Sequence, residues 1–122
     1  MPLQLDTGEK GLAMFFKDWQ IEILRYLWSI CPEGANSRMV HQNVNKTLKA
    51  SISRASVINY LNAMADEGFL NYTENTGRGG YHRVYTMAYT ENEFKRRVAE
   101  IIITNLLKEY PQETKKVIQQ VM

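Results

Sequence analysis

Residues 53–87 read SRASVINYLNAMADEGFLNYTENTGRGGYHRVYTM, and the spacing of the apolar residues changes once within this stretch. Before Gly68, the residues Val57, Leu61 and Met64 stand at i, i+4 and i+7. That is the spacing of one face of an α-helix, and Ser53 is placed to cap its start. Gly68 falls where a helix would end on a left-handed residue, a conformation that suits glycine because it has no Cβ. After it the period is two. Phe69–Thr73 and Tyr81–Met87 are rich in aromatic and β-branched residues, and the polar, glycine-rich run Glu74–Gly80 separates them. The stretch predicts a helix that runs directly into a β-hairpin.

Upstream, Asp18 is placed to cap a helix carrying Trp19, Ile23, Tyr26, Leu27 and Ile30, which Cys31-Pro32-Glu33-Gly34 terminates. A short second helix follows, capped by Asn36 or Ser37, with Met39, Val40 and Val44 as its inner face. Asn45–Ser51 is polar and is expected to connect it to the third helix. Downstream, Thr90-Glu91-Asn92-Glu93 is a capping box that opens a long helix with Phe94, Val98, Ile101, Ile102 and Leu106 inward. Pro111 interrupts it, and Gln112–Val121 is a last short helix carrying Val117, Ile118 and Val121. Three helices and then a hairpin is the winged helix-turn-helix arrangement. The expected fold is mainly α with a small β-hairpin: an arm over residues 1–14, a winged helix over 15–89 and a C-terminal helical dimerisation region over 90–122.

The composition excludes several classes. Cys31 is the only cysteine, so there is no internal disulfide and no multi-cysteine metal site. His41 and His82 are the only histidines, and neither stands at ligand spacing from other donors. No metal or cofactor is expected. Acid, base and nucleophile do not assemble anywhere, which speaks against an enzyme. No apolar run approaches the roughly 18–20 residues of a membrane span, and the first residues lack the basic-then-apolar order of a signal peptide, so a cytoplasmic protein is expected.

Net charge is +2, but its distribution is uneven. Residues 1–35 hold three basic and five acidic side chains, whereas residues 36–90 hold six basic against three acidic. A phosphate-facing surface belongs in the middle segment. With Val57, Leu61 and Met64 turned inward, the third helix leaves Arg54, Ala55, Ile58, Asn59 and Asn62 outward, with Ser53 and Ser56 in its first turn. These side chains are short and hydrogen-bonding. Arg can read guanine and Asn adenine in the major groove of double-stranded DNA, and Ile58 and Ala55 suit a thymine methyl. An ordinary solvated face would carry Lys and Glu, and this one has neither before Glu67. At the hairpin, Arg78 lies between Gly77 and Gly79, with His82 and Arg83 following, a pattern that suits contact with the sugar–phosphate backbone. Lys46 and Lys49 are expected to neutralise phosphates.

Residues 21–28, 52–64 and 67–70 together with the Tyr81–Tyr85 strand resemble the penicillinase-repressor (BlaI/MecI) family over about Asp18 to Tyr89. The resemblance implies a homodimeric repressor on a palindromic operator, with C-terminal helices for dimerisation and Arg54, Ser56, Ile58 and Asn59 facing DNA. Two departures stand out. Asn43–Ser51 is longer than usual for the family, and the region after Tyr110 is short. The C-terminal cysteine cluster of copper-responsive relatives is also absent.

Dimerisation is expected through Phe94, Val98, Ile101, Ile102, Leu106, Val117, Ile118 and Val121, an apolar surface broader than one small domain covers. Two alternatives stand beside a DNA-binding repressor. One is a winged helix used for protein contact. The other is a MarR- or PadR-like regulator that senses an unidentified small molecule in a pocket at the dimer seam, lined by Trp19, Phe94 or Tyr110.

Overall fold

The computed structural model describes residues 3–77 and 80–122. The expected wing-tip residues Arg78 and Gly79 lie outside the described residues. The chain divides into two compact units, Met1–Thr90 and Glu91–Met122.

In the first unit a 3-10 turn over Gly11–Met14 precedes α1 (Asp18–Ser29), β1 (Ala35–Asn36), α2 (Ser37–Leu48), α3 (Arg54–Asp66), β2 (Leu70–Gly77) and β3 (Gly80–Met87). In α1, Ile23, Leu24 and Leu27 are fully buried. Its cap is Lys17, one residue earlier than expected, with the Lys17 N–H donating to Gln20 Oε1 at 2.9 Å. Asp18 instead opens the first turn, where a carboxylate complements the positive end of the helix.

Asn36 caps α2 as expected, its side-chain oxygen accepting from the Met39 N–H at 2.9 Å. Val40 and Val44 are buried, but Met39 is 44% exposed and does not belong to the inner face. The valines, one turn apart, define the stripe, and Met39 stands about 100° away from Val40. The expected polar connection from Asn45 is largely helix. α2 runs on to Leu48 and ends on Lys49, at φ 50°. Asn45 does not disturb its own helix because its amide is occupied elsewhere. It donates to the Ile52 carbonyl at 3.0 Å and accepts from the Ile52 N–H at 2.8 Å. His41 Nε2 donates to the same carbonyl at 2.9 Å. The turn between α2 and α3 is thereby held by two side chains of α2.

Ser53 caps α3 through its Oγ, which accepts from the Ser56 N–H at 3.1 Å. Val57, Leu61 and Met64 are fully buried, and Tyr60 joins them. At the far end the Phe69 N–H bonds the Met64 carbonyl and the Gly68 N–H bonds the Ala65 carbonyl, the paired pattern of a Schellman motif. Gly68 supplies the required positive φ, 84°. Phe69, just beyond, is buried together with Met64.

The sheet has three strands, in the order β1-β3-β2, and all pairs are antiparallel. The hairpin expected from sequence is thus joined by a third strand. β1 pairs Ala35 with Tyr85 and Asn36 with Val84, and two residues are too few to show a period. The expected loop Glu74–Gly80 is also mostly strand, since pairing continues from Leu70↔Met87 to Gly77↔Gly80. Ala35, Leu70, Tyr85 and Met87 are buried strand positions. The Trp28 indole N–H, donating to the Tyr89 carbonyl at 2.9 Å, ties the end of the sheet to α1.

The second unit consists of α4 (Glu91–Glu109) and α5 (Pro111–Val121). Pro111 stands at the first position of α5, where a missing N–H costs nothing. Thr114 Oγ1 donates to the Leu106 carbonyl at 3.0 Å across the junction. Phe94, Val98 and Ile101 are buried, whereas Leu106, Val117 and Val121 are exposed. Ile102 and Ile118 are half-buried. Among the described residues no helix is long and apolar enough to cross a membrane.

Two glycines with positive φ should respond differently to substitution. A Cβ on Gly34, at φ 78°, would stand 2.5 Å from the Tyr85 carbonyl oxygen, whereas one on Gly68 meets nothing within 4 Å. Gly68→Ala should cost about 1–2 kcal/mol for the left-handed backbone alone. Gly34→Ala should cost clearly more, because it also pushes β1 off β3. Urea denaturation of both variants checks the order.

Candidate nucleic-acid interface

The third helix exposes a narrow face, and its chemistry follows from what its other side buries. At about 100° per residue, the centre of the face opposite Val57, Leu61 and Met64 falls on Ala55, Asn59 and Asn62. Ile58 flanks it on one side, and Arg54, about 60° round the helix from Val57, projects from the first turn. Arg54, Ala55 and Asn59 are exposed, and Ile58 and Asn62 are half-buried. Ser53 and Ser56 form the start of the helix, and the Ser53 hydroxyl also donates to Ser56 Oγ at 2.8 Å. Both hydroxyls are therefore engaged in shaping the first turn.

Asn62 departs from its neighbours. Its Oδ1 accepts from Arg83 Nη1 at 3.1 Å and from the Tyr85 hydroxyl. Arg83 is held from further sides, with its guanidinium 4.1 Å from the centroid of the Tyr72 ring and its Nε 3.8 Å from Glu74 Oε1. Tyr72, Glu74, Arg83 and Tyr85 are cross-strand partners in β2 and β3, at Tyr72↔Tyr85 and Glu74↔Arg83. Their side chains share the sheet face that meets Asn62. Asn62 and Arg83, both expected from sequence to meet DNA, are thus brought together as a joint between α3 and the hairpin. The sequence reading missed Tyr72, Glu74 and Tyr85 as members of this joint. The strand alternation puts these residues and Arg83 on one face, but only the docking of α3 on the sheet supplies the fifth member.

The remaining expected residues fall into three places. Lys46 and Lys49 are exposed at the end of α2. His82 is half-buried on β3, pairs with Asn75 and belongs to the opposite sheet face from Arg83. Arg78 lies outside the described residues. The arrangement offers a short helix face with one guanidinium and one free-standing carboxamide, presented from a helix start whose N–H groups suit an anion. An antiparallel ribbon is fixed beside it. A helix face of this width fits a major groove about 12 Å wide.

No protein-family model matches the chain, and no curated protein matches it significantly in sequence. Solved structures do resemble it. The Orc1 protein of Aeropyrum pernix, in a structure determined in complex with DNA, matches with a TM-score of 0.57 and 10% identity over 70% of this chain. This chain spans only 24% of the Orc1 chain. A proposed transcriptional regulator from Thermoplasma acidophilum matches with a TM-score of 0.52 and 19% identity, covering 75% of this chain and 90% of the other. At these identities the likeness concerns the fold, and with the element order it establishes a winged helix.

The joint gives a stability test that separates two asparagines of one helix. Asn62→Ala removes the acceptor of two donors and should cost about 1–3 kcal/mol. Asn59→Ala, on the exposed face, should stay within about 0.5 kcal/mol. Urea titrations of the two variants measure the difference, and equal losses would remove Asn62 from its role as the joint.

Proposed function

We propose that this chain is a sequence-specific double-stranded DNA-binding transcriptional regulator, acting without catalysis as a homodimeric repressor on a palindromic operator. The observation that carries the reading is the exposed face of α3. Asn59 stands there, and Arg54 is exposed in the first turn of the same helix, whose apolar side is buried and whose far end is tied to the wing. Arg54 and Asn59 read base edges, Ala55 and Ile58 contact thymine methyls, and the helix start at Ser53 and Ser56 receives a phosphate oxygen. Lys46, Lys49 and Arg78 neutralise backbone phosphates. Asn62 and Arg83 serve by holding the wing beside the helix, which fixes the angle at which both reach the duplex. The DNA-bound Orc1 structure supports the reading at the level of a shared fold. The narrower kinship with penicillinase repressors rests on the sequence motifs alone.

Dimerisation is assigned to the second unit. Ile103, Leu106 and Tyr110 are exposed on α4 and just past its end, at i, i+3 and i+7, and Val117 and Val121 are exposed on α5 one turn apart. An apolar stripe of this kind on charged helices suits a second copy of the same surface. Phe94, Val98 and Ile101, being buried within one chain, contribute by shaping α4 from behind.

Selection of binding sites from random duplexes should enrich a two-fold palindrome. On the selected site, Arg54→Ala and Asn59→Ala should each cost about 1–3 kcal/mol, and much less on random DNA at the same salt concentration. Equal losses on both would reduce these residues to phosphate contacts, and no loss on either would remove α3 as the reading element.

The double variant Leu106→Lys, Val117→Lys should sediment as a monomer where the wild type sediments as a dimer. Its helical circular dichroism should be unchanged. A variant that remains dimeric would move the interface away from the second unit.

A further inference from the structure

A groove of about 930 Å³ runs between the N-terminal arm, the start of α1 and one side of α3. Phe16, Trp19 and Tyr60 form its aromatic wall. The Trp19 and Tyr60 rings meet edge-on with centroids 5.5 Å apart, and Phe16 meets Tyr60 edge-on at 6.3 Å. Among the described residues its charged lining is Asp6, Glu9 and Asp18 against Lys17, a net negative surface. This agrees with the acidic surplus of residues 1–35.

Tyr60 is the second and independent sign of a ligand. It is 5% exposed, and its hydroxyl has no hydrogen-bond partner among the described residues. Burial raises the phenol well above its usual value, so the group stays a neutral O–H with lone pairs to offer. The oxygen has almost no accessible surface, so a ligand bonds it only where the groove's walls part around it, and that bond relieves the cost of an unpartnered buried hydroxyl.

We propose that this groove binds a small organic cation with an aromatic body. The rings of Phe16 and Trp19 receive the apolar part, and a cation gains from the face of a tryptophan ring. Asp6, Glu9 and Asp18 balance the charge, and the Tyr60 hydroxyl accepts an N–H of the ligand. Charge decides the class. An anion would meet three carboxylates against one lysine, and a neutral molecule would gain nothing from them, whereas a cation is attracted. Ser56 and Asn59 form part of the α3 wall, so the groove borders the proposed DNA-reading face. The cation binds whether or not that face reads DNA.

Rhodamine 6G, a planar cationic dye with N–H groups, is a suitable probe, and fluorescein is an anionic dye with a related ring system. Fluorescence anisotropy on the full chain should show saturable one-to-one binding of rhodamine 6G and at least tenfold weaker binding of fluorescein. The double variant Asp6→Asn, Glu9→Gln should lose about tenfold in rhodamine affinity. Tyr60→Phe should also lose about tenfold, while its Tm equals or exceeds that of the wild type. These opposite signs distinguish a ligand contact from a structural role. Comparable binding of the two dyes would overturn the proposal, as would full rhodamine affinity in Tyr60→Phe or a fall in its Tm.

Discussion

Burial of Val57, Leu61 and Met64 is the constraint from which the rest of the first unit follows. Each of these side chains contributes about 1.5–3 kcal/mol when removed from water, so α3 cannot rotate without losing several of them at once. That fixes which residues face solvent. It also fixes where α3 ends, because Phe69 must be buried on the same side as Met64, and the chain reaches that position through the left-handed turn at Gly68. β2 therefore leaves the helix in a set direction, and β3 and β1 follow by pairing. The exposed face of α3 is a consequence of the core.

Asn59 and Asn62 show how closely a surface role depends on that geometry. They are the same residue type, three positions apart on one helix, and by sequence they are equivalent candidates for base recognition. Asn62 stands over the sheet, where the Tyr85 hydroxyl and Arg83 use its carbonyl oxygen. Asn59 stands one turn nearer the helix start, exposed, on the boundary with the groove of the N-terminal arm. One asparagine joins helix to wing, and the other is left for a partner. Arg83 is divided from Arg54 in the same way. The first is surrounded by Tyr72, Glu74 and Asn62, and the second stands exposed at the start of α3.

Polar side chains also set the connections. Asn45 and His41 both bond the Ile52 backbone and so close the turn between α2 and α3 without a long loop. This explains how a run that is polar and rich in asparagine and lysine still continues a helix to Leu48. The side chain that would compete with helical hydrogen bonds is spent on a residue seven positions away. The charge distribution follows the same division of the chain. The arm and α1 carry the acidic surplus, and the lysines at the end of α2 belong to the basic middle segment.

The sequence by itself determined the three helices, the glycine stop at Gly68 and the hairpin, because helical spacing of four and three, strand spacing of two, and capping chemistry are local properties of the chain. It also determined the buried stripe Val57, Leu61 and Met64 and hence the outward positions of α3. Only the tertiary structure decided the third strand, since two residues at Ala35 and Asn36 carry no period and become a strand solely by pairing with β3. It alone decided that α2 absorbs Asn45–Leu48, through bonds to Ile52, and that Met39 faces solvent. It also joined Asn62 to Arg83, two candidate DNA contacts that stand apart in sequence, and placed Trp19 and Phe16 beside Tyr60. The physical reason is common to all of these. Periodicity reports which side of an element is apolar, whereas the partner of a polar or aromatic side chain is set by where distant elements dock.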